Sequence, residues 1–138
     1  MVRQPEKRLE YEYFKEHFAD EHWQTRVWLG PLPPGKEARE YMVTGRWADA
    51  IVFTPDIVHI IEFKMDPNPG AIGQLDLYAQ LFGKTLRFRR YWGAGIVKHL
   101  VTTRIDEHVK QLCDEHGCIY EVFAPDWVEY WRKSRLRL

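Results

Sequence analysis

Two apolar segments joined by a short turn constrain the fold of this 138-residue chain more than any other feature of its sequence. Residues 48–53 and 57–63 are rich in Ile, Val and Phe, and Thr54-Pro55-Asp56 separates them. Runs of β-branched and aromatic residues on either side of such a turn are typical of neighbouring strands. The sequence therefore predicts a β-hairpin between residues 48 and 63.

The turn also predicts which residues of the two strands face each other. If Pro55 and Asp56 form its tip, antiparallel pairing places Asp49 directly across from Glu62, with Cβ atoms about 5 Å apart. Lys64 follows two residues later and projects from the same face. A three-residue loop would shift the pairing and separate the two acids. Because proline is poorly suited to the primed turns of two-residue hairpins, we expect a four-residue loop, which keeps the pairing.

Two carboxylates and a lysine at the end of an apolar hairpin predict a hydrolytic metal site. Buried charges without a partner are costly, and a divalent cation is a suitable partner for Asp49 and Glu62. Asp56 also precedes Glu62, but the two would lie about 20 Å apart along one strand. A metal ion that binds oxygens at about 2.1 Å cannot bridge that distance. Asp56 is therefore assigned to the turn and Asp49 to the site.

These residues resemble the motifs of the PD-(D/E)xK nuclease superfamily. In that family an aspartate opens the second core strand and a Glu/Asp-x-Lys triplet closes the third, as Asp49 and the triplet from Glu62 to Lys64 do here. Ala48 stands where the family has proline, a departure that removes no metal ligand. The resemblance implies a restriction-endonuclease-like α/β fold, with an α-β-β-β-α-β core and a mixed central sheet flanked by helices. It also implies hydrolysis of phosphodiester bonds in DNA with Mg²⁺ or Mn²⁺.

The resemblance assigns a role to each residue of the expected catalytic set. Asp49 and Glu62 would each supply a carboxylate oxygen to the metal, which lowers the pKa of the attacking water. Lys64 would orient or activate that water, or stabilise charge on the phosphate. Gln74 and Tyr78 resemble the QxxxY motif of the RecB-like branch, and their spacing puts both on one helix face. There they would contact the site and the bound nucleic acid.

The family usually draws one more acid from its first helix. Four acids of this chain compete for that role: Glu6, Glu10, Glu12 and Glu16. A helical wheel places Glu10 beside an apolar face formed by Tyr11, Phe14 and Phe18, whereas Glu12 and Glu16 point away from it. His17 shares the stripe of Glu10, and related enzymes sometimes use a histidine in this region. Glu10 is therefore the first choice for the additional metal ligand and His17 the second.

Hydrophobic periodicity and breaker residues predict the order α-β-β-β-α-β-α-β-α along the chain. The first helix is predicted over residues 5–22 and the first strand over 23–29, followed by a Gly/Pro-rich loop; residues 36–41 are ambiguous. After the hairpin, helices are predicted over 71–82, 105–116 and from residue 125 onward, and strands over 95–102 and 118–123. At this length we expect a single domain, residues 1–138.

Charge and aromatic residues predict where nucleic acid would bind. The chain has 20 basic and 20 acidic residues, so its net charge attracts no nucleic acid and local patches must do so. The best patch combines Lys84, Arg87, Arg89 and Arg90 with Phe88, Tyr91 and Trp92, cations for phosphates and aromatic rings for bases. Arg46, just before the site, would contact phosphate or pair with a nearby acid.

Cysteine usage and hydropathy bound the location and the cofactors. Two cysteines, Cys113 and Cys118, are too few for a disulfide framework or for a four-cysteine iron–sulfur cluster. No apolar run approaches the length of a membrane span, and the N-terminus lacks a signal-peptide core. We expect an intracellular protein, with no membrane partner, encoded by a cell or by a virus acting in its host.

Three functional hypotheses remain open from the sequence. The first is the DNA nuclease described above. The second is a non-catalytic nucleic-acid-binding module on the same fold, and the third is a junction-resolving or other structure-specific nuclease that acts as a homodimer. The neutral net charge also leaves room for a partner protein that supplies DNA binding.

Overall fold

A mixed β-sheet of five strands lies at the centre of the part of the chain that the structure describes. The computed structural model describes residues 4–31 and 45–136. Its strands lie side by side in chain order: β1 (His22–Leu29), β2 (Arg46–Phe53), β3 (Ile57–Phe63), β4 (Gly95–Thr102) and β5 (Cys118–Val122). The first three are antiparallel neighbours, whereas β3, β4 and β5 run parallel.

Four α-helices in the described residues cover both faces of the sheet: α1 (Pro5–His17), α2 (Gly70–Phe82), α3 (Glu107–Glu115) and α4 (Trp127–Arg135). Parallel strands need crossover connections, and α2 and α3 supply them. These two helices pack on one face of the sheet, and α1 and α4 pack on the other. The predicted α/β fold with a mixed sheet flanked by helices is confirmed. In residues 4–31 and 45–136, no helix is both long enough and apolar enough to cross a membrane.

Strand β3 is apolar along most of its length because both of its faces are covered. Val58 and Ile60 belong to the core beneath α2 and α3, whereas Ile61 and Phe63 belong to the core beneath α1 and α4, and all four are fully buried. Such a strand requires hydrophobic side chains in both directions. Glu62 breaks this pattern, because its side chain is acidic and yet only 3% exposed.

The hairpin between β2 and β3 has the predicted register. The Thr54 N–H donates to the Ile57 carbonyl oxygen at 3.0 Å, which closes the expected four-residue loop. Continuing the pairing by one step places Asp49 across from Glu62. The turn residues therefore bring the two acids together.

The first helix is shorter than its pattern predicts. It ends at His17, not at residue 22, and β1 begins at His22. Phe18 leaves the helix with a φ of −135° and packs against His59, with ring centroids 5.4 Å apart. The predicted apolar face is also wrong, because Tyr11 is 63% exposed. The side chains of α1 that are buried instead are Leu9, Tyr13 and Phe14.

Other boundaries differ by one or two residues from the predicted ones. Helix α3 begins at Glu107 because the Asp106 carboxylate caps it, accepting from two backbone N–H groups. The segment Leu86–Tyr91, predicted without regular structure, forms a 3₁₀-helix. Strand β5 ends one residue earlier than predicted and α4 begins two residues later. The ambiguous residues 36–41 lie outside the described residues.

A chain of polar side chains crosses the α1 face of the sheet. The Tyr13 hydroxyl donates to Glu121 Oε2 at 2.7 Å, Glu121 Oε1 lies 2.6 Å from His99 Nδ1, and His99 Nε2 lies 2.8 Å from His59 Nδ1. Burial, followed by the neighbouring His99, lowers the pKa of His59. Burial would raise the pKa of Glu121, but hydrogen bonds from His99 and Tyr13 outweigh it and hold that pKa below its usual range. This His–Glu network ties α1 to β3, β4 and β5.

Candidate active site

Asp49 lies where the backbone pairing between β2 and β3 ends. Pairing reaches Ala50 and stops there. The Phe63 N–H instead donates to Asp49 Oδ2 at 2.9 Å. One carboxylate oxygen is thereby fixed by the backbone of β3, and the Asp49 side chain lines an open cleft.

Glu62 is a buried carboxyl group with little compensation for its charge. Its Oε2 accepts a long hydrogen bond of 3.5 Å from the Tyr78 hydroxyl, and its Oε1 is buried without a hydrogen-bond partner in the described residues. Burial, and then the adjacent Asp49 carboxylate, raise the pKa of Glu62 to about 9. Near neutral pH the metal-free pair therefore holds a proton.

Lys64 follows β3 directly and is half-buried. Its backbone N–H donates to the Val101 carbonyl oxygen at 3.0 Å, which extends the pairing of β3 with β4 and fixes the start of the side chain. The ammonium group acts on Glu62 and lowers its pKa against the larger effects of burial and Asp49. The structure thus brings Asp49, Glu62 and Lys64 together, as the register argument predicts.

Helix α1 contributes two further acids, Glu6 and Glu10, which lie one turn apart on the same face. Glu10 Oε1 is buried without a hydrogen-bond partner in the described residues. Burial, followed by the charge of Asp49, raises the pKa of Glu10 to about 7, against an opposing effect of Lys7. Glu6 Oε1 accepts from the Met65 N–H at 3.4 Å, and its charge helps to raise the pKa of Glu62. Sequence reasoning selected Glu10 and passed over Glu6.

These four carboxylates suit a hard divalent cation. Two buried oxygens, one on Glu10 and one on Glu62, have no protein partner in the described residues. Carboxylate oxygens are the ligands that Mg²⁺ and Mn²⁺ prefer. Within residues 4–31 and 45–136, however, no three His, Cys, Asp or Glu side chains already enclose one metal position. Shared coordination would therefore require side chains to turn toward one another.

Tyr78 reaches Glu62 in the site, whereas the side chain of Gln74 is exposed. Tyr78 is buried on α2, and burial, followed by the charge of Glu62, raises its pKa. Gln74, one turn earlier, has an exposed side chain. Arg46, at the exposed start of β2, lies close enough for its charge to act on Tyr78.

His17, the second choice for the helix ligand, lies away from the four carboxylates. Its ring packs against Tyr13 and Phe123, with centroids 4.5 Å and 5.8 Å away, and its charge acts on Glu121 of the His–Glu network. The reason is its position at the C-terminal end of α1, two turns after Glu10. The structure does not bring His17 to this site.

The predicted basic patch also lies away from the acids, at the far end of β2. Phe88 and Tyr91 pack on Phe53, with ring centroids 5.3 Å and 4.8 Å from it, and Phe88 is buried there, so its ring is not free to stack on bases. Tyr91 is half-buried and Trp92 is exposed. Phe53 is four residues from Asp49, about 13 Å along the strand. The arginines of the patch, Arg87, Arg89 and Arg90, are exposed on the 3₁₀-helix. Lys84 is exposed just before this helix.

The cleft beside the acids has aromatic and basic walls that sequence reasoning missed. Its volume is about 440 Å³, and Trp23, Trp47 and Arg26 line it together with Asp49 and Glu10. The acids that line it belong to α1 and β2. No local sequence signal identifies these wall residues, because they converge only when β1, β2 and α1 pack together.

This chain matches no protein-family model and no curated protein. Its structure is similar to that of a repair endonuclease from Pyrococcus abyssi, with a TM-score of 0.54 and 16% identity over 91% of this chain and 50% of that chain. The EndoMS–dsDNA complex has a TM-score of 0.55 and 17% identity, and EndoMS in apo form has 0.52 and 19%. The chain covers 47% and 48% of these two, about half the length of each neighbour. At such identities the likeness shows the fold alone, and that fold is the restriction-endonuclease-like α/β arrangement predicted from the sequence.

Proposed function

We propose that this protein is a metal-dependent nuclease that hydrolyses phosphodiester bonds in DNA at the Asp49–Glu62 site. The observation that carries the proposal is the buried Glu62 carboxyl group facing the half-buried Asp49 at the edge of an open cleft, with Lys64 beside it. Such a pair reduces stability, because buried charges without full compensation are destabilising. A charged group that lowers stability and lies beside a cleft is a candidate for a functional role.

Asp49 and Glu62 would hold Mg²⁺ or Mn²⁺, with Glu10 as a further ligand. Glu6 is near enough to Glu62 to contribute as well. The metal, when bound, supplies a Lewis acid for the phosphate oxygen and lowers the pKa of a bound water. The protein's own part is to hold the ligands: the Phe63 N–H orients Asp49, and the Tyr78 hydroxyl orients Glu62.

Lys64 is the residue best suited to act on the nucleophile. Its ammonium group lies on the strand end beside Glu62, where it would orient the attacking water and stabilise charge that develops on the phosphate. Tyr78 is a positioning residue, since it acts through Glu62. Gln74, exposed on the same helix, would contact the nucleic acid and not the metal.

DNA is the expected substrate because of the structural neighbours. One is named as a repair endonuclease and another is a complex with double-stranded DNA. The net charge of zero means that DNA binding depends on local cations near the cleft, such as Lys7 and Arg26. By comparison with the repair endonuclease among these neighbours, we propose that cleavage occurs within the strand.

A cleavage assay with a matched control tests the proposal. Purified protein is incubated with single-stranded, duplex, branched and closed-circular DNA in Mg²⁺, Mn²⁺ or EDTA. We expect metal-dependent cleavage that falls to background in Asp49→Asn, which keeps the shape of the side chain. Asp56→Asn, in the exposed turn of the same hairpin, should cleave like the wild type. No metal-dependent cleavage on any substrate, or equal rates in Asp49→Asn and the wild type, would sink the proposal.

A further inference from the structure

Arg26 adopts a left-handed backbone conformation in the middle of strand β1. Its φ is +50°, in a region that long L side chains rarely occupy and that costs free energy. The register of β1 with β2 places Arg26 across from Asp49, and the backbone pairing found on both sides of this position is absent at it. Local strain therefore lies directly beside the candidate catalytic aspartate.

The side chain of Arg26 lies over an exposed aromatic ring in the cleft. Its guanidinium carbon is 5.0 Å from the ring centroid of Trp47. Trp47 is 40% exposed, and both residues line the same cleft as Asp49 and Glu10. The guanidinium lies over one face of the indole, and Trp47 remains 40% exposed in the cleft.

We propose that Arg26 and Trp47 form a nucleotide subsite, in which Trp47 stacks on an unpaired nucleobase and Arg26 binds a neighbouring phosphate. An indole beside a cation offers a nucleotide both of the contacts that single-strand binding proteins use. Bases inside a duplex are already stacked on both faces, so only an unpaired base offers a face to Trp47. The inference rests on the proposed function and adds to it a preference for an unpaired nucleotide near the cleaved bond.

The strain at Arg26 separates this role from a purely structural one. Glycine adopts a positive φ without penalty. Arg26→Gly should therefore keep or raise the melting temperature, while it weakens oligonucleotide binding. If the arginine serves only to pack on Trp47, the same substitution should lower the melting temperature and leave binding unchanged, which would overturn the proposal.

A binding assay with an aromatic control outside the cleft tests the subsite directly. The anisotropy of a labelled oligothymidylate is measured with Ca²⁺ in place of Mg²⁺, and a duplex of the same length serves for comparison. We expect Trp47→Leu to weaken single-strand binding about 10-fold. Tyr130→Leu, an exposed ring (59%) on α4 outside the cleft, should change it by less than about 2-fold. Equal losses in the two variants, or no single-strand binding by the wild type, would overturn the subsite.

Cleavage measured on the same preparations distinguishes the subsite from the proposed function. Metal-dependent cleavage together with unchanged oligonucleotide affinity in Trp47→Leu overturns the subsite and leaves the nuclease. Trp47-dependent binding without cleavage overturns the nuclease and leaves a nucleotide-binding cleft. Cleavage that is faster on a duplex with an unpaired nucleotide than on the matched duplex, and that loses this preference in Trp47→Leu, supports both.

Discussion

The substitution Glu62→Gln is expected to stabilise the metal-free protein while it abolishes cleavage. Burial and Asp49 raise the pKa of Glu62 from 4.5 to about 9, so at neutral pH the folded protein holds this group protonated. Glutamine has nearly the shape and charge of a protonated glutamate. The substitution therefore changes the folded state little and removes the tendency of the unfolded chain to ionise.

The size of the effect follows from the gap between the two states. In the unfolded chain Glu62 has a pKa of 4.5, so pH 7 is about 2.5 units above it. Ionisation at pH 7 therefore favours the unfolded chain by about 3 kcal/mol, which the substitution removes. For a chain of this size that is an increase in melting temperature of about 10 °C. Because the folded pKa is raised, the cost of Glu62 is absent below about pH 4.5, grows as the pH increases and levels off above about pH 9.

Urea unfolding in EDTA between about pH 5 and pH 8 measures the free energy of unfolding of the wild type and of Glu62→Gln, and so the pH-dependent cost of Glu62. The difference between Glu62→Gln and the wild type should grow by about 1.4 kcal/mol for each pH unit. Glu16→Gln, an exposed acid of α1, controls for the loss of one negative charge. Mg²⁺ should stabilise the wild type and not the variant. A difference that does not change with pH, or a destabilised variant, would refute the reasoning.

Three further substitutions have separate expected outcomes. Tyr78→Phe keeps the buried ring but removes the hydroxyl from Glu62; single-turnover cleavage should slow while the apparent Mg²⁺ affinity falls, and an unchanged affinity would argue against a positioning role. Glu121→Gln removes the anionic partner of His99 and should cost about 2 kcal/mol in urea unfolding at neutral pH. This loss should shrink as the pH falls through the depressed pKa of Glu121, because the wild type then loses the same contribution. Arg89→Gln should remove one phosphate contact with long DNA, without slowing cleavage of short oligonucleotides. The slope of log binding constant against log salt concentration should then fall in magnitude by about one. An unchanged slope would show that Arg89 of the basic patch does not contact DNA.

The central part of the site could be predicted because it depends on local rules. A Pro-Asp turn sets the loop length, the loop length sets the register, and the register places Asp49 across from Glu62. Lys64 follows from the alternation of side chains along the same strand. Each step uses residues within one hairpin, and no knowledge of the remaining chain is needed.

The rest of the site depends on contacts between distant segments. Glu6 lies near the site because α1 packs on the sheet through Leu9, Tyr13 and Phe14. The helical wheel assigns Tyr11, which is exposed, to the buried face, and so it does not identify Glu6. The positive φ of Arg26 has no signal in its sequence, since arginine is an unusual residue for that conformation.

The basic patch shows which part of such a pattern the sequence leaves open. Its aromatic and cationic residues alternate in sequence, but the 3₁₀-helix buries Phe88 in the core against Phe53 and leaves Tyr91 half-buried there. Composition alone does not distinguish a ring that packs in a core from one that is free to bind a base.

The hydrogen bond from the Phe63 N–H to Asp49 Oδ2 makes one backbone amide a reporter of the site. The proton of such an amide resonates at a frequency that depends on the charge of its acceptor, so any cation that Asp49 binds should shift it. Phe63 itself is fully buried, which protects the signal from exchange with solvent. Occupancy of the site could therefore be followed by nuclear magnetic resonance at a single ¹⁵N-labelled position, without nucleic acid and without turnover.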